Sequence, residues 1–264
     1  MTHRYAIAFG FAALSATTTL DAQSLADRVS RAGNGTIRMT FATRPELCGR
    51  GGSIHRGPNW RTSWGDYERT RDVEWDAACD YGPGRLVLDK REGEIVAVRF
   101  YVGGRWRPGG SDVTDLGNVS AVDASNYLVS LASTLPGKAG RDAIFPATVA
   151  DSAEPWPGLL RIARNEERPR ETRKQAVFWL GQAAGEAASA GLDSLSRDGN
   201  VDREVQKAVV FAFSQRPREE GIPALIRIAR SHRDPDVRRD AVFWLGQSND
   251  PRAIALFEEL LTKR

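Results

Sequence analysis

A chain of 264 residues with 41% apolar and 27% charged residues has ordinary globular composition, enough to build a core in one large or two ordinary domains. Lysine and arginine number 37 against 34 acidic residues, and a net charge of +3 excludes a basic field strong enough to demand a polyanionic partner. Any electropositive site has to be local.

In chain order, residues 1–22 read as an export signal. His3 and Arg4 form a short polar start, Tyr5 to Ala16 is apolar and rich in small residues, and Asp21-Ala22-Gln23 offers a small residue for cleavage near Ala22/Gln23. The apolar run of about a dozen residues is too short for a membrane-spanning helix of roughly 20. The mature chain is therefore expected outside the bilayer, in a periplasm or secreted. Cys48 and Cys79 are the two cysteines. In an oxidising compartment such an isolated pair reads as a structural disulfide, which would stabilise the fold by roughly 3 to 4 kcal/mol through loop closure.

Residues 23–118 are predicted to be a β-rich domain. Ile37, Met39 and Phe41 alternate with Arg38, Thr40 and Ala42, and Val73, Trp75 and Ala77 alternate with Asp72, Glu74 and Asp76, the period of half-buried strands. Leu86-Val87-Leu88 and Ile95 to Val102 flank the charged segment Asp89 to Glu94, a hairpin signal. Glycine-rich loops at 48–57 and 103–110 punctuate the strands. One antiparallel sheet is expected.

From residue 119 the texture is helical. Ser120 or Asp123 suits a helix cap, and prolines and glycines at 136–137, 155–157, 168–170, 199–200, 216–217 and 234–235 mark off about eight helices, paired antiparallel. Within this half one phrase recurs. Ala176-Val177-Phe178-Trp179-Leu180-Gly181-Gln182 returns unchanged at Ala241 to Gln247, with a degenerate copy at Val209-Val210-Phe211-Ala212-Phe213-Ser214-Gln215. The phenylalanines follow one another at steps of 33 and 32 residues, a period that marks a stacked repeat array.

Asp234-Pro235-Asp236-Val237-Arg238-Arg239-Asp240-Ala241, followed by Leu245-Gly246, resembles the second helix of a HEAT repeat, the type also seen in the HEAT-like repeats of phycobilin lyases; Thr172-Arg173, Ala176 and Leu180-Gly181 match the same pattern. Leu159 to Arg164 and Leu225 to Arg230 match as first helices, whereas the middle copy departs at Gln206, Val209 and Ser214. The likeness covers residues 155–261, and the chain as a whole resembles the secreted bacterial kind of HEAT-repeat protein. It implies an α+β fold: a small N-terminal antiparallel β domain, then an α-α superhelical (HEAT-like) solenoid over 119–264. It also implies recognition of a protein or peptide partner on the concave side.

Helical geometry gathers Val237, Ala241, Trp244, Leu245 and Ser248 into one buried seam and leaves Phe243 opposite, in line with Arg239 and Gln247. The other copies repeat the line as Lys174, Phe178, Gln182 and Lys207, Phe211, Gln215. Two readings of this stripe stand open. It is a partner-binding surface, or its phenylalanines pack between successive second helices while the amides stitch repeats together.

No GxSxG, HExxH, Walker loop or dinucleotide fingerprint occurs, and the three histidines are scattered, so no catalytic, cofactor-binding or metal-ligating residue is nominated. The expected function is an exported, non-catalytic binding or scaffolding protein. Trp60, Trp64, Trp106 and Trp156 would extend its surface unless they are core. Two alternatives compete. Asp72, Glu74 and Asp76 on one strand face could serve a periplasmic hydrolase or lyase-like enzyme. Arg173, Lys174, Lys207, Arg238 and Arg239 could line a nucleic-acid groove, as in alkylpurine DNA glycosylases of HEAT type, but Glu171, Glu204, Asp236 and Asp240 dilute them and export removes the substrate.

Overall fold

The alternating strand at Ile37 is the centre of the N-terminal half. In the structure, a computed structural model that describes residues 24–50, 53–56, 61–63, 72–76, 79–183 and 186–262, Ile37, Met39 and Phe41 are fully buried. The export signal therefore lies outside the described residues, as do Trp60 and Trp64. A short helix α1 (Leu25–Arg31) precedes the strands β1 (Gly35–Phe41), β2 (Leu47–Arg50), β3 (Ser53–Arg56), β4 (Arg61–Ser63), β5 (Val73–Glu74), β6 (Asp80–Tyr81), β7 (Gly84–Arg91), β8 (Glu94–Val102), β9 (Arg105–Trp106) and β10 (Val113–Asn118).

The main sheet has the order β10-β1-β7-β8. Its β7–β8 hairpin turns at Glu92 and Gly93, both left-handed at φ 53° and 84°, which matches the twist of the flanking strands. Asn34 Oδ1 accepts a hydrogen bond from the Gly93 N–H at 3.0 Å and pins that turn to the start of β1.

The expectation of one antiparallel sheet is corrected. β10 pairs with β1 in parallel, and a second sheet, β4-β3-β2-β6, and a two-stranded ladder, β5-β9, stand apart from the first. The cause is the connection after β8. Since β8 and β10 run the same way on opposite edges, residues 103–112 have to return the length of the sheet and cross its face. β9 lies in that crossing and brings Trp106 down beside Val73, Val87, Tyr101 and Trp75. On this outer face the Arg38 and Arg85 guanidiniums lie 5.3 and 5.1 Å from the Trp106 ring centre. Buried Arg99 reaches Asp72 at 2.7 Å and grips Asp89 with both Nη atoms, and Tyr101 Oη–H donates to Asp72 at 2.9 Å.

Cys48 and Cys79 form a disulfide with their Cα atoms 5.3 Å apart, tying β2 to the segment that enters β6. Replacing both with serine is expected to lower unfolding free energy by about 3 kcal/mol, because the open form regains the entropy of the freed loop. Chemical denaturation of the two forms checks this.

The inner face of the main sheet meets helices. Lys90, buried on β7, donates from Nζ to the carbonyls of Val29, Ser30 and Ala32 at 3.1, 2.7 and 2.8 Å. It thereby satisfies the carbonyl end of α1, where a cation is electrostatically favoured. α2 (Ala121–Thr134) starts at the cap Ser120, whose side chain accepts from the Asp123 N–H. Then follow α3 (Gly137–Asp142), α4 (Ile144–Val149), α5 (Trp156–Arg164), α6 (Arg170–Gln182), α7 (Glu186–Arg197), α8 (Arg203–Ser214), α9 (Arg218–Ser231), α10 (Pro235–Gln247) and α11 (Pro251–Thr262). These ten exceed the expected eight because residues 137–149 form two short helices that meet at Ala143, a stretch too short to show a clear helical period.

The helices pack as successive pairs, α5 with α6, α7 with α8 and α9 with α10, while α8 rests on α6 and α10 on α8. One apolar core runs without interruption from Leu25 through the sheet to Leu256. Among the described residues no helix is long and apolar enough to cross a membrane.

Candidate functional site

The repeated phrase builds the layer α6-α8-α10. Of the expected seam Val237, Ala241 and Leu245 are buried, as are Ala176 and Leu180 of the first copy, whereas Trp244 and Ser248 are only half-buried. The adjoining Phe-Trp pair does something the spacing does not reveal. Neighbouring helix residues point about 100° apart, so the two rings address two different neighbours. Trp179 faces back to Phe145 of α4 with ring centres 4.8 Å apart, and Phe178 faces forward to stack on Phe211 of α8 at 6.4 Å and 13°. Trp244 likewise faces back to Phe211 at 5.2 Å. Phe243, the forward residue of α10, touches only its own neighbour Trp244 among the rings described and is 56% exposed.

The glycine three residues on from Phe178 follows the same logic. A Cβ on Gly181 would lie 2.8 Å from the Ala212 Cβ, so its absence sets how closely α8 approaches α6. Arg173 on Asp202, Phe178 on Phe211 and Gly181 on Ala212 fall in the same order along both helices, which makes α6 and α8 parallel. In the middle copy alanine stands at 212, where the other copies have tryptophan, and it meets Gly181.

Of the predicted stripe, Lys174, Phe178, Gln182, Lys207 and Phe211 are half-buried, whereas Gln215, Arg239, Phe243 and Gln247 are exposed. Its cations carry acidic partners: Lys174 with Glu171 at 3.3 Å, Lys207 with Asp240 at 3.8 Å, and Arg239 with Asp236 at 3.0 Å. Arg173 is buried against Asp202. What the face offers is a series of amides beside aromatic edges, with its charge balanced. At its N-terminal end Gln182 borders a small recess with Trp179, Arg44, Glu46 and Trp156, in which the Arg44 guanidinium lies 5.8 Å from the Trp156 ring centre. Trp106 and Trp156 are both half-buried.

The outer face of the main sheet holds a cleft of about 690 Å³ around Trp106, Arg107 and Asp112. Asp72, Glu74 and Asp76, expected together on one strand face, are divided: β5 spans only two residues, Asp72 turns inward to Arg99, and Glu74 and Asp76 share Arg105 at 2.7 and 3.1 Å. The Arg105 hydrogen bond holds the Glu74 carboxyl below its ordinary value, opposite to the shift a general acid needs.

Acidic residues also begin the last two helices. Asp234 accepts from the Asp236 N–H at 2.8 Å, and Asp250 accepts from the Arg252 guanidinium and N–H at 2.9 and 3.0 Å. The Arg252 side chain holds the Asp250 carboxyl well below the usual range, and the Asp236 N–H lowers Asp234. A depressed folded value means stability that is present above the unfolded carboxylate range, about pH 4, and lost as pH falls through the folded value. The melting temperature is therefore expected to drop below about pH 4, and Asp250→Asn to flatten that drop. Thermal scans across the acid range check both.

The sequence model of the family described as HEAT repeats matches residues 197–264. Residues 197–264 are thus similar to HEAT repeats. The match spans α8 to α11 and leaves α6, the first copy of the repeated phrase, outside it; repeats of this kind commonly mediate contacts between proteins. No curated protein matches the sequence.

Sequence reasoning missed the directions of Trp179 and Trp244 and the contact role of Gly181. A glycine kept in the middle of a helical phrase, despite its cost of about 1 kcal/mol relative to alanine, was the available signal.

Proposed function

We propose that the protein is an exported, non-catalytic binding or scaffolding protein whose HEAT-like superhelix holds a protein or peptide partner along the face of α6, α8 and α10, with the β domain covering the N-terminal end. The carrying observation is the thrice-repeated line of cation, phenylalanine and amide, whose cations are already paired with Glu171, Asp240 and Asp236. Balanced charge beside regularly spaced amides suits a polypeptide backbone better than a phosphate chain, which rewards unpaired cations. The Cys48–Cys79 disulfide and the apolar N-terminal run favour an oxidising destination, periplasmic or secreted. The repeats are assigned to the type seen in phycobilin lyases for their Val-Arg, Ala and Leu-Gly pattern alone, with no pigment chemistry attached.

A photo-crosslinking residue placed at Gln215 is expected to capture a discrete protein from the native envelope or medium, and the same residue at Arg161 on α5 to capture none. Capture from both positions alike, or retention of nucleic acid that declines with salt, would overturn the reading.

A further inference from the structure

Each cation of the stripe has its acid: Lys174, Lys207 and Arg239 are held by Glu171, Asp240 and Asp236, and the neighbouring Arg173 by Asp202. Arg44, in the recess at the N-terminal end of that face, differs. Among the described residues no carboxylate pairs with its guanidinium. It is nonetheless fixed in place. The Arg44 N–H donates to the Val149 carbonyl at 3.0 Å, the Asp151 N–H donates to the Ala42 carbonyl at 2.9 Å and Thr43 bridges Ala150, so residues 42–44 are laced to the end of α4. The side chain is half-buried, with its guanidinium 5.8 Å from the centre of the Trp156 ring. A guanidinium that sets its flat face on an indole keeps the N–H donors in its own plane, and those match the two oxygens of a carboxylate.

The recess adds an apolar wall. Leu47, Val149, Trp156 and Trp179 line it beside Gln182, and its free volume is about 30 Å³, room for a small side chain and not for a ring. Glu46 lines it too, engaged by a group other than Arg44, and its charge disfavours an anion with more than one negative charge.

We infer, resting on the partner face proposed above, that this recess takes the C-terminal residue of the partner polypeptide, an alanine or valine whose carboxylate pairs with Arg44 and whose side chain meets Trp156 and Trp179. A chain terminus carries its carboxylate and its side chain on one carbon, so both reach a guanidinium and an apolar wall set within one small recess. An aspartate or glutamate delivers its carboxylate from the tip of the side chain, with no apolar group beside it. Capture of a terminal carboxylate is a recurring mode of peptide recognition. It also gives the partner a direction, from Gln182 on α6 toward Gln215 at the end of α8 and Gln247 on α10.

The probe is a set of fluorescein-labelled hexapeptide pools ending in alanine or valine, made in parallel as free acids and as C-terminal carboxamides. Fluorescence anisotropy with the full chain is expected to show saturable binding of at least one acid pool, with about ten-fold or greater weakening both in the matching carboxamide and in Arg44→Gln. Arg44→Lys, which keeps the charge but not the planar pair of donors, should recover only part of that loss. An arginine that merely staples the β domain to Trp156 would treat acids and amides alike. Equal affinity for acid and amide, no saturable binding of any acid pool, or full affinity in Arg44→Gln would overturn the proposal. The partner face fails separately. Specific crosslinking from Gln215 that is undiminished in Arg44→Gln upholds the face and overturns the terminal recess, whereas acid-selective peptide binding without capture from Gln215 upholds the recess and overturns the face.

Discussion

Replacing Arg99 with methionine is expected to lower the unfolding free energy by about 3 to 5 kcal/mol, the loss that follows when one partner of a buried ion pair is removed and the other left behind. Arg99 is 6% exposed on the outer face of the main sheet, and its guanidinium is the shared partner of Asp72 and Asp89. Methionine fills similar space but returns neither carboxylate to water. Both carboxylates then lose the bonds to that guanidinium beside Val87, Tyr101 and Trp106. If that is the mechanism, the loss belongs to the carboxylates deprived of Arg99 and not to the missing arginine. Adding Asp72→Asn and Asp89→Leu to Arg99→Met should then recover much of it, because well-packed apolar replacements of a buried charge cluster are often neutral or better. Urea titrations of the single and triple variants decide the point; equal losses in both would contradict it.

Trp179→Ala is the second large expectation. The ring is 4% exposed and packs between Phe145 and Phe178, joining the short helices at the head of the array to the first full repeat. Truncation should cost about 3 to 5 kcal/mol, the range for a large buried aromatic whose cavity cannot fully collapse. Trp244, at the same place in the repeated phrase, is only half-buried and should cost less, about 1 to 3 kcal/mol. Because Phe145 and Trp179 are in contact, Phe145→Ala and Trp179→Ala combined should fall short of the sum of their separate effects. Additivity within experimental error would mean that the two rings do not share one packed site.

The order of these effects bears on what could be read from the chain. The β7–β8 hairpin was legible at Asp89 to Glu94, and the buried face of β1 at Ile37, Met39 and Phe41, because both are set by neighbours in sequence: a two-residue turn and a period of two. The helical repeat was legible for the same reason, written three times. The parallel pairing of β10 with β1 was not. It depends on residues 103–112 crossing the sheet, and no local pattern records the direction in which a strand rejoins. Lys90 shows another limit. A lysine after Leu88 reads as the charged start of a turn, yet it is buried because the carbonyl end of α1 happens to lie above it.

The candidate stripe was half legible. Helical spacing separated Phe243 from the seam but left open whether the stripe meets a partner or packs between successive second helices, because spacing within one helix does not record its neighbours on two flanks. Phe178 and Phe211 are therefore half-covered, and the end position, Phe243, is the open one. One sequence, placed twice, meets two environments. Gly181 and Gly246 occupy the same letter of an identical phrase, one pressed against Ala212 and the other facing open space.

The most direct measurement is accordingly a pair of glycine-to-alanine substitutions followed by chemical denaturation. Gly181→Ala is expected to destabilise the chain by about 1 to 3 kcal/mol, since the added methyl overpacks the contact with α8. Gly246→Ala is expected to leave stability unchanged or raise it by up to about 1 kcal/mol, the gain of alanine over glycine in an exposed helix. Equal effects at the two positions would contradict a layer in which each second helix presses forward onto the next.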